Sequence, residues 1–194
     1  MSDQTDNDDW GREAAGRRFP IYLVEYDPSW PELYEAEARL LKEQFGDLIV
    51  RTEHIGSTAV PGLAAKPTID LIAEITSFDE AEREIVPALL AQSIGYGFSA
   101  WPTPVHMAFW KGYIIDTPTK YHYHMAPAGH PLMDRIYFRD YLRRYPETAR
   151  EYELLKYRLA EIYHYDREGY TEAKGDFIRE ITERAKREFQ TPNL

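Results

Sequence analysis

Apolar and polar residues follow two periods along this chain, and the clearest helical period lies near its beginning. Apolar side chains recur from Trp30 to Phe45 at the spacing of one face of an α-helix. Ser29 and Glu32 have the spacing of a capping box, and Gly46 is a natural helix end. The pattern therefore predicts an amphipathic helix that begins at Ser29 and ends at Gly46.

The rest of the chain predicts strands in its middle and helices in its last third. Strands are predicted over Leu48–Ile55, Thr68–Ile75, Val105–Ile115 and Lys120–Ala126, with a short extended piece at Tyr22–Tyr26. Helices are predicted over Phe78–Ile94, Leu132–Arg144, Glu147–Tyr163 and Thr171–Phe189. Gly95-Tyr96-Gly97 is expected to end the first of these helices, and Asp116-Thr117-Pro118 to turn the chain between the last two strands.

A chain of 194 residues suits one domain, here preceded by a tail. Residues 1–20 begin with a polar, acidic stretch and continue with small and charged residues that have no clear period, so we expect partial disorder there. Residues 21–129 form the expected sheet core, and residues 130–189 contain the three last helices. These helices would make only a marginal core alone, so we expect them to pack on the sheet within a single domain, 21–189. The fold class that follows is α/β, or more broadly α+β.

The amino-acid composition restricts the cellular compartment and the binding partners that we expect. The formal net charge of −10 argues against nonspecific binding to nucleic acid or to an anionic membrane, although it is compatible with a small basic pocket. The absence of cysteine excludes disulfides and thiolate zinc sites. No run of about 18 apolar residues predicts a membrane-spanning helix. The acidic N-terminal residues differ from a secretory signal, so we expect a cytoplasmic protein.

The segment between the first two predicted strands has the strongest functional pattern. Gly56 would let a ligand approach the backbone, and Ser57 with the following amides could donate to phosphate oxygens. Lys66 adds a positive charge. Asp70 lies in an apolar strand, where a carboxylate needs a partner or a metal. His54 points either into this site or into the opposite core. The structural alternative is a tight loop in which Asp70 caps a neighbouring amide.

Two histidines on a later strand form a second candidate group. His122 and His124 are separated by one residue, so they project from one strand face. As neutral imidazoles they can hold a transition metal, and they could also bind phosphate or shuttle a proton. A pair of hydrogen-bonded sheet histidines is the alternative. His106, His130 and His164 have no companion pattern and are interpreted as structural or surface residues.

Several motifs of this chain resemble one protein family. The long middle motif is His54-Ile55-Gly56-Ser57-Thr58-Ala59-Val60-Pro61-Gly62, followed by Lys66-Pro67-Thr68-Ile69-Asp70. The others are Tyr26-Asp27-Pro28-Ser29-Trp30, Phe138-Arg139-Asp140-Tyr141-Leu142, Glu151-Tyr152-Glu153-Leu154-Leu155-Lys156 and Tyr170-Thr171-Glu172-Ala173-Lys174. Together they resemble the GrpB (glutamate-rich protein B) family of the nucleotidyltransferase superfamily. The resemblance implies a nucleotidyltransferase-like fold, with a mixed central sheet flanked by helices.

The resemblance also implies a metal site, with one departure. Active nucleotidyltransferases pair a Gly-Ser turn with two carboxylates at i and i+2 of the next strand, which help to hold two Mg²⁺ ions. Here Ile72 occupies the second position, and Glu74 lies about 7 Å further along the strand. A third carboxylate of such enzymes comes from a strand placed like that of His122 and His124. We therefore expect Asp70, His122 and His124 to bind Mg²⁺ or another divalent metal, in an incomplete carboxylate set.

Two lysines lie on the apolar stripes of predicted C-terminal helices. Lys156 and Lys174 share faces with buried-type residues, and with Lys66 and Arg139 they would form a basic cluster suited to a phosphorylated ligand. Alternatively, the lysines extend to solvent, and Arg139 forms a structural ion pair with Asp140.

Three functions remain open from the sequence. The first is a nucleotidyl or phosphoryl transferase that acts on a small molecule. The second is a non-catalytic member of the fold that binds a nucleotide or phosphorylated metabolite, which Ile72 favours. The third is a metal-dependent hydrolase that uses Asp70, His122 and His124. Each predicts that these three residues converge on one pocket with His54 and Ser57.

Overall fold

Within residues 14, 16–99 and 105–190, which the computed structural model describes, five strands form one mixed sheet. They are β1 (Ile49–Ile55), β2 (Thr68–Ile75), β3 (Gly95–Ser99), β4 (His106–Lys111) and β5 (Lys120–Pro127). Their order across the sheet is β1-β2-β5-β4-β3. The pair β2 and β5 is parallel, and the other neighbouring pairs are antiparallel.

The parallel pair positions the candidate site. Most residues of β2 are buried, because the strand is interior to the sheet and has cover on both faces. The register pairs Asp70 with His122 and Ile72 with His124. Since alternate residues of a strand share a face, these four side chains project from one side of the sheet, and Leu71 projects from the other. We call the first side the Asp70 face.

Helices cover the two faces of the sheet. On the Leu71 side lie α1 (Trp30–Phe45) and α2, which comprises Phe78–Glu80, a π-helical turn over Ala81–Ile85, and Val86–Leu90. The later helices are α3 (Asp134–Arg144), α4 (Pro146–Ile162), α5 (Arg167–Glu172) and α6 (Gly175–Gln190). The predicted architecture, a mixed sheet flanked by helices, is confirmed.

Separate apolar clusters hold these layers together. Phe45 of α1 and Leu89 of α2 share one core with Leu71. Leu132, just before α3, packs on Ile72 on the opposite face. A further cluster joins α3, α4 and α6 to the loop after β1; its buried members are Val60, Leu63, Phe138, Leu142, Tyr152 and Ile181.

The predicted cap of the first helix and the predicted end of the strand over Val105–Ile115 are wrong. The Ser29 side chain makes no capping hydrogen bond, and instead the Asp27 carboxylate accepts one from the Ser29 amide at 2.8 Å. The predicted strand over Val105–Ile115 is shorter, because β4 ends at Lys111 and Gly112 turns the chain with a φ of +91°.

Two helix predictions are also wrong in their bounds. The helix expected over Phe78–Ile94 ends at Leu90, and Ser93 has a left-handed φ of +59°, so Gly95-Tyr96-Gly97 begins β3 instead of ending a helix. The helix expected over Thr171–Phe189 is two helices, α5 and α6. The Asp166 side chain caps α5 by accepting from the Gly169 amide at 2.9 Å.

Most of the predicted tail lies outside the described residues. The described chain after it is anchored where the Ile21 amide donates to the carbonyl of His164 at 2.8 Å. The extended piece at Tyr22–Tyr26 pairs with the rest of the protein through one bridge, between Val24 and Ala65. None of the helices in the described part of the chain has the length and apolar character needed to cross a bilayer.

Candidate functional site

A cavity of about 320 Å³ opens on the Asp70 face of the sheet. Its floor comes from the first halves of β2 and β5, and its walls come from the loop after β1 and the C-terminal helices. We call it the site cavity. The residues predicted from sequence that line it are Gly56, Ser57, Lys66, Asp70, His122, His124, Lys156 and Lys174.

Gly56 brings the backbone directly against the Asp70 carboxylate. Its φ is +73°, in the left-handed region that favours glycine. A Cβ at this position would lie 2.5 Å from Asp70 Oδ2, closer than non-bonded atoms approach. Ser57 then begins a short 3₁₀ turn, and it lines the site cavity together with Tyr152.

Asp70, His122 and His124 place one potential ligand atom each within 4.8 Å of one another. Asp70 Oδ1 lies 3.1 Å from His122 Nδ1 and 3.9 Å from His124 Nε2. The second nitrogen of each ring is also engaged. His122 Nε2 lies 2.9 Å from the Tyr113 hydroxyl oxygen, and His124 Nδ1 lies 3.0 Å from His106 Nε2. The His122 ring is therefore held from two sides, and the His124 ring is held by His106 beside the Asp70 carboxylate.

Burial and hydrogen bonding set the charges of this cluster. Burial opposes ionisation of Asp70, but the contacts with His122 and His124 outweigh it and hold the pKa of this carboxyl well below its ordinary value. Burial, with the nearby positive charge of Arg135, lowers the pKa of His124 to about 3. At neutral pH a carboxylate therefore lies beside a neutral imidazole.

Basic side chains dominate the wall of the site cavity. Among the described residues that line it, the basic ones are Lys66, Arg135, Lys156 and Lys174, and the one acidic residue is Asp70. This excess is local, because the whole chain carries a formal net charge of −10.

Three of these basic side chains are lysines with depressed pKa values. Burial lowers the pKa of Lys66 to about 8 and that of Lys156 to about 7. Burial, followed by repulsion from Lys66, lowers the pKa of Lys174 well below its ordinary value. The Lys66 and Lys174 ammonium groups lie 5.3 and 4.0 Å from the centre of the Tyr170 ring. Lys156 donates a hydrogen bond to the Ala64 carbonyl.

His54 and Arg139 do not line the site cavity, contrary to the prediction. Because His54 neighbours Ile55 on β1, it faces the other side of the sheet. There it stacks on Tyr34 at 4.8 Å between ring centres. Arg139 donates to the carboxylates of Glu53 and Asp140 at 2.7 and 2.8 Å, so the structural ion pair is the observed arrangement.

A neighbouring cavity of about 420 Å³ shares Lys66 and Thr68 with the site cavity. Phe19 and Tyr113 meet edge to face in its wall, with ring centres 5.1 Å apart. Arg167 lines it as well and donates to the Tyr113 hydroxyl at 3.1 Å. Space for a ligand therefore extends beyond the Asp70 cluster.

Comparison with known proteins gives this fold a family. The family model described as GrpB protein matches residues 20–184. The chain belongs to the GrpB family. The predicted resemblance is thereby confirmed, and the nucleotidyltransferase superfamily is consistent with it.

The relatives of this GrpB-family chain include proteins of different lengths. The UPF0157 protein YqkA of Bacillus subtilis is 34% identical over 170 residues, which is 86% of this chain but 48% of YqkA. This chain thus spans about half the length of that relative. Glutamate-rich protein GrpB of Alkalihalophilus pseudofirmus is 32% identical over 163 residues, 83% of this chain and 93% of that protein.

A solved GrpB structure has the same fold. The crystal structure of the conserved protein GrpB from Enterococcus faecalis superposes with a TM-score of 0.74 and 28% sequence identity. The match covers 88% of this chain and all of that one.

The residues of this GrpB-family site do not fit two magnesium ions. Ile72, at the place of the second carboxylate, is 1% exposed and packs against Ile55 and Leu132. Glu74 cannot replace it, because its carboxylate is bonded to Arg51 at 2.8 Å. Within the described residues, the site therefore offers Asp70 as its one acidic ligand.

Sequence reasoning missed several members of the site. Arg135 and Tyr170 line the cavity, and Tyr113 and His106 hold the two histidine rings. The position of His106 on β4 is such a signal. His106 lies two residues before Ala108, so the two share a strand face, and Ala108 pairs with His124 of β5. That signal becomes visible only when the pairing of the strands is known.

Proposed function

We propose that this GrpB-family protein binds a nucleotide or another phosphorylated small molecule in the site cavity. The observation that carries the proposal is the set of four basic side chains that line this cavity with one carboxylate. Phosphate oxygens accept charge-assisted hydrogen bonds from lysine and arginine, and such bonds are stronger than neutral ones.

The lysines favour an anion for an energetic reason. Removing an ammonium group from water costs free energy unless an opposite charge compensates it. Within the described residues, no salt bridge ties Lys66 or Lys174 to a carboxylate, and the two ammonium groups repel each other near Tyr170. A phosphate between them would relieve this repulsion and raise the pKa of both. The adjoining cavity leaves room for the remainder of a nucleotide.

Binding without transfer is favoured over transfer because of Ile72. Two-metal transfer requires a carboxylate at this position, but the chain has an isoleucine there, buried among apolar side chains. Transfer of a nucleotidyl or phosphoryl group is the second candidate, because Gly56, Ser57 and Asp70 match the Gly-Ser turn and the first carboxylate that the resemblance to active nucleotidyltransferases implies.

Calorimetry in the presence of a chelator tests the binding proposal. ATP, AMP, pyrophosphate and adenosine would be titrated into the parent chain, Lys174→Gln and Lys42→Gln. Lys42 is the matched control, since it is an exposed lysine outside the site cavity. We expect the phosphorylated ligands to bind and adenosine not to bind. Loss of one charge-assisted hydrogen bond, worth roughly 1.5–3 kcal/mol, should weaken binding by Lys174→Gln about 10- to 150-fold. Binding of adenosine as tight as that of ATP, or equal ATP affinities for all three proteins, would contradict the proposal.

A further inference from the structure

Asp70, His122 and His124 form a group that anion binding by the lysines does not explain. We propose that these three side chains bind one divalent transition-metal ion of the Zn²⁺ class, and that they do not form a magnesium site. The proposal goes beyond the binding of a phosphorylated ligand and is tested with the metal alone.

The ligand atoms of the cluster determine which of the two classes of ion it prefers. The cluster offers two imidazole nitrogens and one carboxylate oxygen. Mg²⁺ prefers oxygen ligands in octahedral geometry, whereas imidazole suits Zn²⁺, Fe²⁺, Ni²⁺ and Cu²⁺. Three protein ligands with one open position are the pattern of catalytic zinc sites. Active nucleotidyltransferases have a carboxylate on the corresponding strand, whereas this chain has two histidines there. This difference changes the metal that the site prefers.

The separations of the three ligand atoms are close to those that a metal requires. Tetrahedral bonds of 2.0–2.1 Å place neighbouring ligand atoms about 3.4 Å apart. The two distances from Asp70 Oδ1, 3.1 Å to His122 and 3.9 Å to His124, lie on either side of this value. No pair is more than 4.8 Å apart, so the largest contraction needed is about 1.4 Å.

Contacts around the cluster have the arrangement of a prepared metal site. A histidine that binds a metal through one nitrogen usually donates from the other to a fixed acceptor, which orients the ring. Tyr113 supplies that acceptor for His122, and Arg167 holds the Tyr113 hydroxyl at 3.1 Å. His106, which is fully buried, supplies it for His124.

The Asp70 carboxylate is also held in place, and the cluster faces the site cavity. Gly56 packs on the Oδ2 side of Asp70, while Oδ1 faces both imidazoles. Asp70, His122 and His124 all line the site cavity, so an ion there would present its open position to the cavity.

Calorimetry with Zn²⁺ and Mg²⁺ on the chelator-treated chain, without phosphate, tests the proposal. We expect one Zn²⁺ per chain and a Mg²⁺ affinity at least 100-fold lower. His124→Gln should lower the Zn²⁺ affinity by 100-fold or more, and Tyr113→Phe by 10- to 100-fold through the loss of ring orientation. His164→Gln, which changes an exposed histidine outside the cavity, should bind as the parent does. Because no phosphate is present, this test can fail while the phosphate-binding test succeeds, and the reverse.

X-ray absorption at the zinc edge gives a second readout that needs no variant to fold. The parent chain with one equivalent of Zn²⁺ should show scattering from two imidazoles and one or more oxygen ligands. A Co²⁺-loaded parent should show the visible spectrum of a four- or five-coordinate ion, bleached by Zn²⁺. Absence of Zn²⁺ binding, tighter binding of Mg²⁺ than of Zn²⁺, or a zinc shell without two imidazoles would overturn the proposal.

Discussion

Replacing Lys156 with methionine should stabilise the protein at pH 7 and destabilise it at pH 10. The Lys156 side chain is 2% exposed, and burial lowers its pKa from 10.5 to about 7. Between these values the unfolded chain binds more protons than the folded one. The stability that depends on Lys156 is therefore lowest at and below pH 7, and it rises as the pH approaches 10.5.

The size of the effect follows from the same two pKa values. One pKa unit corresponds to 1.36 kcal/mol, so the buried ammonium costs the folded parent about 4 kcal/mol at pH 7 and less than about 1 kcal/mol at pH 10. Methionine removes this cost but leaves the Ala64 carbonyl without its donor, which costs about 1–3 kcal/mol at every pH. Lys156→Met should thus be more stable than the parent by about 1–3 kcal/mol at pH 7, and less stable by up to about 2 kcal/mol at pH 10.

Urea unfolding of the ligand-free protein at pH 7 and pH 10 measures both values. Lys42→Met is the control, because Lys42 is exposed and its replacement should change stability equally at the two pH values. If Lys156→Met also shows the same change at both, the Lys156 ammonium is solvated and the argument from buried cations fails.

Two further substitutions test the geometry around the site. Gly56→Ala should cost about 1–3 kcal/mol more in urea unfolding than Gly62→Ala, because both positions have a positive φ but only the Cβ at Gly56 meets Asp70; equal costs would contradict the close approach. Arg139→Met should destabilise the protein by roughly 1–3 kcal/mol, because it leaves the buried His54 carbonyl without its donor, yet leave ATP affinity in calorimetry unchanged. A large loss of affinity in a folded Arg139→Met would restore Arg139 to the binding site.

The local part of the site could be predicted from the sequence. The alternation of strand residues places His122 and His124 on one face, and the Gly56-Ser57 pair before an apolar strand with Asp70 indicates a ligand site. These inferences need only nearest neighbours along the chain, and the structure places all five residues around the site cavity.

The remaining features depend on contacts that are distant in sequence. Gly95 and Gly97 suggested the end of a helix, but in β3 they make room for the ring of Trp110 on the neighbouring strand. Likewise Arg139 pairs with Glu53, 86 positions earlier, and no local pattern identifies that partner. Such pairings follow from strand order and helix docking, which the periodicity of one segment does not determine.

A crystal structure of the chain grown with ATP would show directly whether the site cavity binds a nucleotide. We expect phosphate oxygens within hydrogen-bond distance of the Lys66 and Lys174 ammonium groups, in the cavity beside Ser57. A nucleotide bound at another surface, without contact to these two lysines, would show that the site cavity is not the binding site.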